Sequence, residues 1–194
     1  MDPDRTQQEV AQAAARLIVE EGLDYAGARR KAMHALGVRD TPTNETIEDE
    51  VRAHIALFHA DTQPAELRLL REAALRWMTR LAEFRPHVSG AVWRGTATRQ
   101  SIVRIDLYCE DTKAPEIALL NRNVDYETIS TPLGRDEHAL TLMVGERSRE
   151  LDDWITLHLN VLDLDALRGA LKPDARGQSW RGDAAALQRL LENP

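Results

Sequence analysis

Asp106 and Glu110 are the carboxylates whose setting first suggests chemistry. From Ser101 to Cys109 apolar and polar residues alternate, so a strand there puts Ile102, Arg104, Asp106 and Tyr108 on one face. Glu110 joins that face if the strand continues. Carboxylates that share one face of a strand can together hold a hard divalent cation. Just upstream, Gly90-Ala91-Val92-Trp93-Arg94-Gly95 places two glycines around an arginine. Backbone N–H groups of such a turn, with Arg94 and Arg104, suit a phosphate. The same glycines also suit a tight hairpin-like turn that binds nothing. Trp93 beside Arg94 offers either a stacking wall for a base or ordinary packing. The six histidines are scattered, and His54 and His59, five apart, fall on different helix faces, which argues against a metal site. The single Cys109 excludes an intrachain disulfide and reads as a packed thiol.

The string Gly90 to Ala97, followed by Ser101 and then Ile105-Asp106-Leu107, resembles the signature of the nucleotidyltransferase fold, the polymerase-beta-like superfamily. The surrounding strand–turn–strand–helix order extends the likeness over Leu81 to Tyr126. The resemblance implies a Gly-Ser turn at Gly90–Ala91 for the triphosphate, helped by Arg94, Gly95, Ser101 and Arg104. It also implies strand carboxylates for magnesium, which would bind phosphate oxygens and neutralise the transferred group. Counted from Ser101, those carboxylates fall at Ile102 and Arg104, and Ala91 stands where serine is usual. A two-residue bulge before Asp106 would restore one carboxylate, leaving Arg104 beside it.

Two readings of the family resemblance follow. The first is a degenerate site that binds a nucleotide or phosphorylated ligand for regulation without transfer. The second is a magnesium-dependent nucleotidyltransferase acting on a nucleoside triphosphate, with Asp106 as catalytic residue and Asp106 and Glu110 as shifted metal ligands. A third reading comes from the N-terminus. Gln12 to Leu23 and Arg29 to Val38 resemble the first two helices of tetracycline-repressor-type helix-turn-helix regulators. Arg29, Arg30 and Lys31 would then face DNA. The segment that should read the groove instead carries Glu45, Glu48, Asp49 and Glu50, which phosphates repel. That argues against nucleic acid and favours a protein partner for these helices.

Apolar spacing predicts helices over Thr6–Glu21 and Tyr25–Leu36, closed by Gly22 and Gly37. A third helix, capped by Thr43 or Asn44, runs through Phe58, and a fourth follows Thr62 and stops before Pro86. Strands are expected over His87–Trp93, Ser101–Cys109, Val124–Ser130, Ala139–Val144 and Trp154–Val161. Short helices are expected over Thr112–Arg122 and near Asp165–Leu171 and Asp183–Leu191. The fold class is α+β: an N-terminal helical region, 1–84, packed on a small mixed sheet of nucleotidyltransferase-like type with flanking helices, 85–194. The helix over 63–84 is expected to share the sheet's core.

The 194 residues carry a net charge of -7, with 43% apolar residues. That composition suits an ordered globular chain and disfavours unspecific binding to nucleic acid or anionic membranes. No apolar run has the length of a membrane span, and no secretory leader is evident, so a cytoplasmic location is expected. Against the acidic whole, the stretch from Arg94 to Arg104 holds three arginines, Arg94, Arg99 and Arg104, and no acid. A small anionic ligand is therefore the expected partner.

Overall fold

A computed structural model describes residues 3–39, 41–132, 138–174 and 176–193. The chain divides into two compact units, one of residues 1–67 with 96–101 and one of residues 68–95 with 102–194.

The first unit is helical. α1 spans Pro3–Glu21, α2 Tyr25–Leu36 and α3 Asn44–Phe58. Their ends follow the expected chemistry. Gly37 caps α2 in the left-handed region, at φ 65, where a residue without Cβ is unstrained. Asp24 opens α2 by accepting the Gly27 N–H at 2.6 Å, and Thr43 opens α3 by accepting that of Thr46 at 3.1 Å. Val10, Ala14, Leu17 and Ile18 of α1 are buried with Ala28 and Ala32 of α2 and Ile47, Val51 and Ile55 of α3. Alanines on the facing sides let the helix axes approach closely. Lys31 pairs with Glu21 at 2.6 Å, and Arg29 bonds Asn44.

α4 (Gln63–Arg80) is continuous, yet its first turn belongs to the first unit and the rest to the second. In the first unit the Gln63 amide donates to the Ala97 carbonyl at 2.8 Å, and the Glu66 carboxylate accepts the Arg99 N–H at 2.9 Å. Thr98 Oγ1 donates to the Val19 carbonyl at 3.2 Å.

The second unit is α+β. β1 (His87–Ser89), β2 (Val103–Cys109), β3 (Glu127–Pro132), β4 (His138–Ser148), β5 (Asp153–Asp163) and β6 (Arg181–Asp183) form one sheet in the order β3-β4-β5-β2-β1-β6. Only β2 and β5 are parallel; the remaining neighbours are antiparallel. The flanking helices are α5 (Gly90–Arg94), α6 (Ala114–Asn121), α7 (Leu167–Ala170) and α8 (Ala184–Glu192). One sheet face carries Val103, Ile105, Leu107, Leu157, Leu159 and Leu142, all fully buried, and Leu70, Met78, Leu119 and Leu187 from the helices, with Leu81 just after α4, are equally enclosed. The opposite face carries the polar residues Arg104, Asp106, Asn160, His158 and Thr141 among apolar ones such as Met143 and Leu162.

Two expectations are corrected. The strand over His87–Trp93 lasts only to Ser89, because Gly90 takes φ 66 and turns the chain into α5. The strand expected over Val124–Ser130 begins at Glu127. β2 stops at Cys109, so Glu110 lies in a bend beyond the sheet and is exposed. β6 was not expected: three residues are too few to show a period. No helix among the described residues is long and apolar enough to cross a membrane.

Candidate functional site

In β2 both faces are covered, so its polar side chains must find partners inside the protein. Asp106 is 5% exposed. Its Oδ2 pairs with an Arg181 guanidinium nitrogen at 3.0 Å, and its Oδ1 accepts from the Asn160 amide at 2.8 Å. Asn160 Oδ1 in turn accepts from the Thr141 hydroxyl at 2.9 Å. The Arg181 guanidinium also donates to the Tyr108 hydroxyl at 2.6 Å. Burial, with Asp106 beside it, pushes the Tyr108 phenol above its usual pKa. The His87 ring meets Tyr108 edge-on at 5.5 Å. The chain is therefore cross-linked by polar side chains from β4 through β5 and β2 to β6.

Register explains why these residues meet. Asp106 faces Asn160 across the parallel pair, and Asn160 faces Thr141. One step along the strands lies a second row: Arg181 opposite Ser89, Ser89 opposite Arg104, and Arg104 opposite His158. Paired residues project to the same side of a sheet. This row is half-buried. Burial, and then the neighbouring Arg104 charge, push the His158 imidazole down to about 4, so it is neutral at pH 7. Gly90 continues the row. A Cβ there would meet only the Arg104 Cδ, at 3.4 Å, so the arginine stem lies along the bare backbone.

Ala91 sits half-buried in α5, which Gly95 ends at φ 80. The Arg71 guanidinium donates to the Val92 and Trp93 carbonyls at 3.1 and 3.4 Å, satisfying the end of that short helix. Burial lowers the Arg71 pKa. Arg94 is engaged with the C-terminal segment. It pairs with Asp174 at 3.0 Å with its side chain 5% exposed, and its guanidinium stacks 4.7 Å from the Trp180 ring centroid. The Gln178 and Arg176 N–H groups, together with Arg94, hold the Asp174 carboxyl below its usual range. Trp93 donates its Nε1 proton to the Ser179 carbonyl at 2.9 Å. Ser101 belongs to the first unit, where its Oγ accepts the Thr98 N–H at 3.0 Å.

Of the residues singled out in the sequence, the structure brings together Gly90 and Arg104 and sets Asp106 one step along the same face. It does not bring Glu110 to Asp106. The donors do not fit magnesium. One Asp106 oxygen is held by a cation and the other by an amide, and the residue in register on β5 is the neutral Asn160. Among the described residues no group of three His, Cys, Asp or Glu side chains could hold a metal ion. Asp163, at the far end of β5, instead accepts the Asp165 N–H at 2.8 Å.

Arg181, Asn160, Thr141, Tyr108 and His158 are functional candidates that motif reading passed over. Strand alternation already placed Tyr108 beside Asp106. Nothing in local spacing announces Arg181, which is 73 residues from Tyr108. No protein-family model, curated protein or solved structure matches this chain.

Proposed function

We propose that the second unit binds a small phosphate-bearing ligand, a nucleotide in the first instance, on the polar face of its sheet, and that it does so without transferring a nucleotidyl group. The observation that carries this reading is the capture of Asp106 by Arg181 and Asn160, beside a row holding Arg104, Ser89 and Arg181. A guanidinium presents a planar fork of donors that matches phosphate oxygens. Ser89 adds a hydroxyl, and the Arg104 stem lies along the backbone of Gly90 beside it. The likeness of the Gly90–Ala97 string to a triphosphate-binding turn supports the same ligand class. Asp106 is already paired with Arg181, and Asp183, the other carboxylate in its cross-strand row, accepts the Ala186 N–H at the start of α8, so both are committed within the protein.

Titration of the full chain with ATP, GTP and inorganic pyrophosphate, with and without magnesium, tests the reading. Saturable, salt-sensitive binding is expected, without a magnesium requirement. Arg104→Gln should weaken it by about tenfold or more, the scale of one charge-assisted contact. No pyrophosphate should be released from either triphosphate. Failure to bind at low salt would overturn the proposal. So would magnesium-dependent pyrophosphate release that disappears in Asp106→Asn, a result that would establish the transferase reading instead.

A further inference from the structure

At the far end of the β4–β5 hairpin, Trp154 is 61% exposed, an unusual position for the largest apolar side chain. Its ring lies on Gly145 of β4: a Cβ there would stand 3.1 Å from the indole Cε3. The missing Cβ of the glycine thus lets the indole approach the neighbouring backbone closely while open to solvent. The ring lines a cavity of about 480 Å³ together with Trp77, Arg80, Asp125, Glu146 and Arg147. That volume lies within the range of small-molecule sites, about 300–1,000 Å³.

The charges of the lining sort into two groups. Arg147 is committed to Asp152 at 2.5 Å. Glu146 accepts the Trp77 Nε1 proton at 2.7 Å and is also paired with Arg76. Arg80 and Asp125 remain. The Arg80 guanidinium stacks 4.6 Å from the Trp77 ring centroid, and neither its charge nor that of Asp125 has an ion-pair partner among the described residues. They border the same cavity without pairing with each other. The cavity therefore offers one unmatched cation, one unmatched anion and a fixed aromatic platform.

We infer that this cavity binds a free α-amino acid with an aromatic side chain. The ligand carboxylate accepts from Arg80, its ammonium donates to Asp125, and its ring stacks on Trp154. A residue inside a peptide has lost both end charges, so the free zwitterion is the fitting form. This site is independent of the anion site on the polar sheet face, and its test involves none of the same residues.

Calorimetric titration with L-phenylalanine, paralleled by tryptophan emission, reads the binding directly. One-to-one saturation is expected. Phenethylamine lacks the carboxylate and 3-phenylpropionate lacks the ammonium, and each should bind at least about tenfold more weakly. Trp154→Ala, Arg80→Gln and Asp125→Asn should each cost a similar factor, with unchanged circular dichroism because all three side chains face solvent. The inference is overturned if neither L-phenylalanine nor L-tyrosine saturates by about 10 mM, a bound far weaker than any useful site. It is equally overturned if the single-charge analogues bind as well as the amino acid. A change in oligomeric mass in Trp154→Ala, without ligand binding by the unaltered chain, would overturn it by assigning this face to contacts between copies.

Discussion

A carboxylate enclosed in a sheet needs hydrogen-bond donors around it or it gives up its charge. Asp106 has a guanidinium and an amide, and the phenol of Tyr108 shares the same guanidinium. His158 shows the opposite solution: it is enclosed beside Arg104 and stays neutral. Its folded pKa, about 4, lies below the ordinary 6.5. As pH falls below about 6.5 the unfolded chain takes up this proton first, so the folded state loses stability. The loss from this group grows down to about pH 4 and then levels off; above about 6.5 it contributes nothing. Its size should be on the order of 1–2 kcal/mol, less than the full shift implies because the ring is partly solvated. Urea midpoints between pH 7 and 4 should therefore fall more steeply for the native chain than for His158→Gln, and parallel slopes would refute the assignment. At this scale the sequence was half-informative. Alternation placed Arg104, Asp106 and Tyr108 on one face, and the strand register puts them there. The partners that fix their chemistry come from β5 and β6, and pairing between distant strands leaves no local signature.

Among the elements, legibility followed length and end chemistry. α2 begins and ends as expected because Asp24 and Gly37 are the groups its termini need. α3 is equally clear from Thr43 and the Ile47, Val51, Ile55 spacing. β1 lies within the strand expected over 87–93, whereas the three residues of β6 show no period, yet together they form one edge of the sheet. What holds β6 in place is tertiary. Gly182 lies directly under the Trp93 ring, so any Cβ there would collide with it. The ring is in turn held by its bond to the Ser179 carbonyl. Gly182→Ala should therefore destabilise the second unit by about 1–3 kcal/mol, the usual result of overpacking. Chemical denaturation of this variant, and of Gly182→Ala combined with Trp93→Leu, is the check. The smaller side chain at 93 should recover part of the loss, and strict additivity of the two changes would contradict the packing argument.

Across the whole molecule, the change of hydrophobic period falls near residue 84, while the compact units part between Leu67 and Arg68. Period reports that α4 is a helix; it carries no information on which core each of its turns joins. The acidic balance also acquires a structure. In the first unit Glu48 is buried and pairs with Arg52 at 2.7 Å. Arg29 and Lys31 are likewise drawn into contacts with Asn44 and Glu21. Each unit has its own buried apolar set, so each should open on its own. Native-state amide exchange should give the α1 and α3 core one opening free energy and β2, β4 and β5 another. A single shared value at all these amides would show one cooperative block instead.

The segment 96–101 belongs to the first unit although it follows residues of the second in the chain. The chain leaves the first unit after residue 67, builds β1 and α5, returns for six residues, and departs again. During synthesis the helices α1 to α3 emerge early. The Val19 carbonyl, the Gln63 amide and the Glu66 carboxylate receive their partners only when Ala97, Thr98 and Arg99 have left the ribosome. By then part of the second unit has already been made. The N-terminal unit, first in sequence, is thus completed only after the other has begun, and the order of assembly is interleaved rather than sequential.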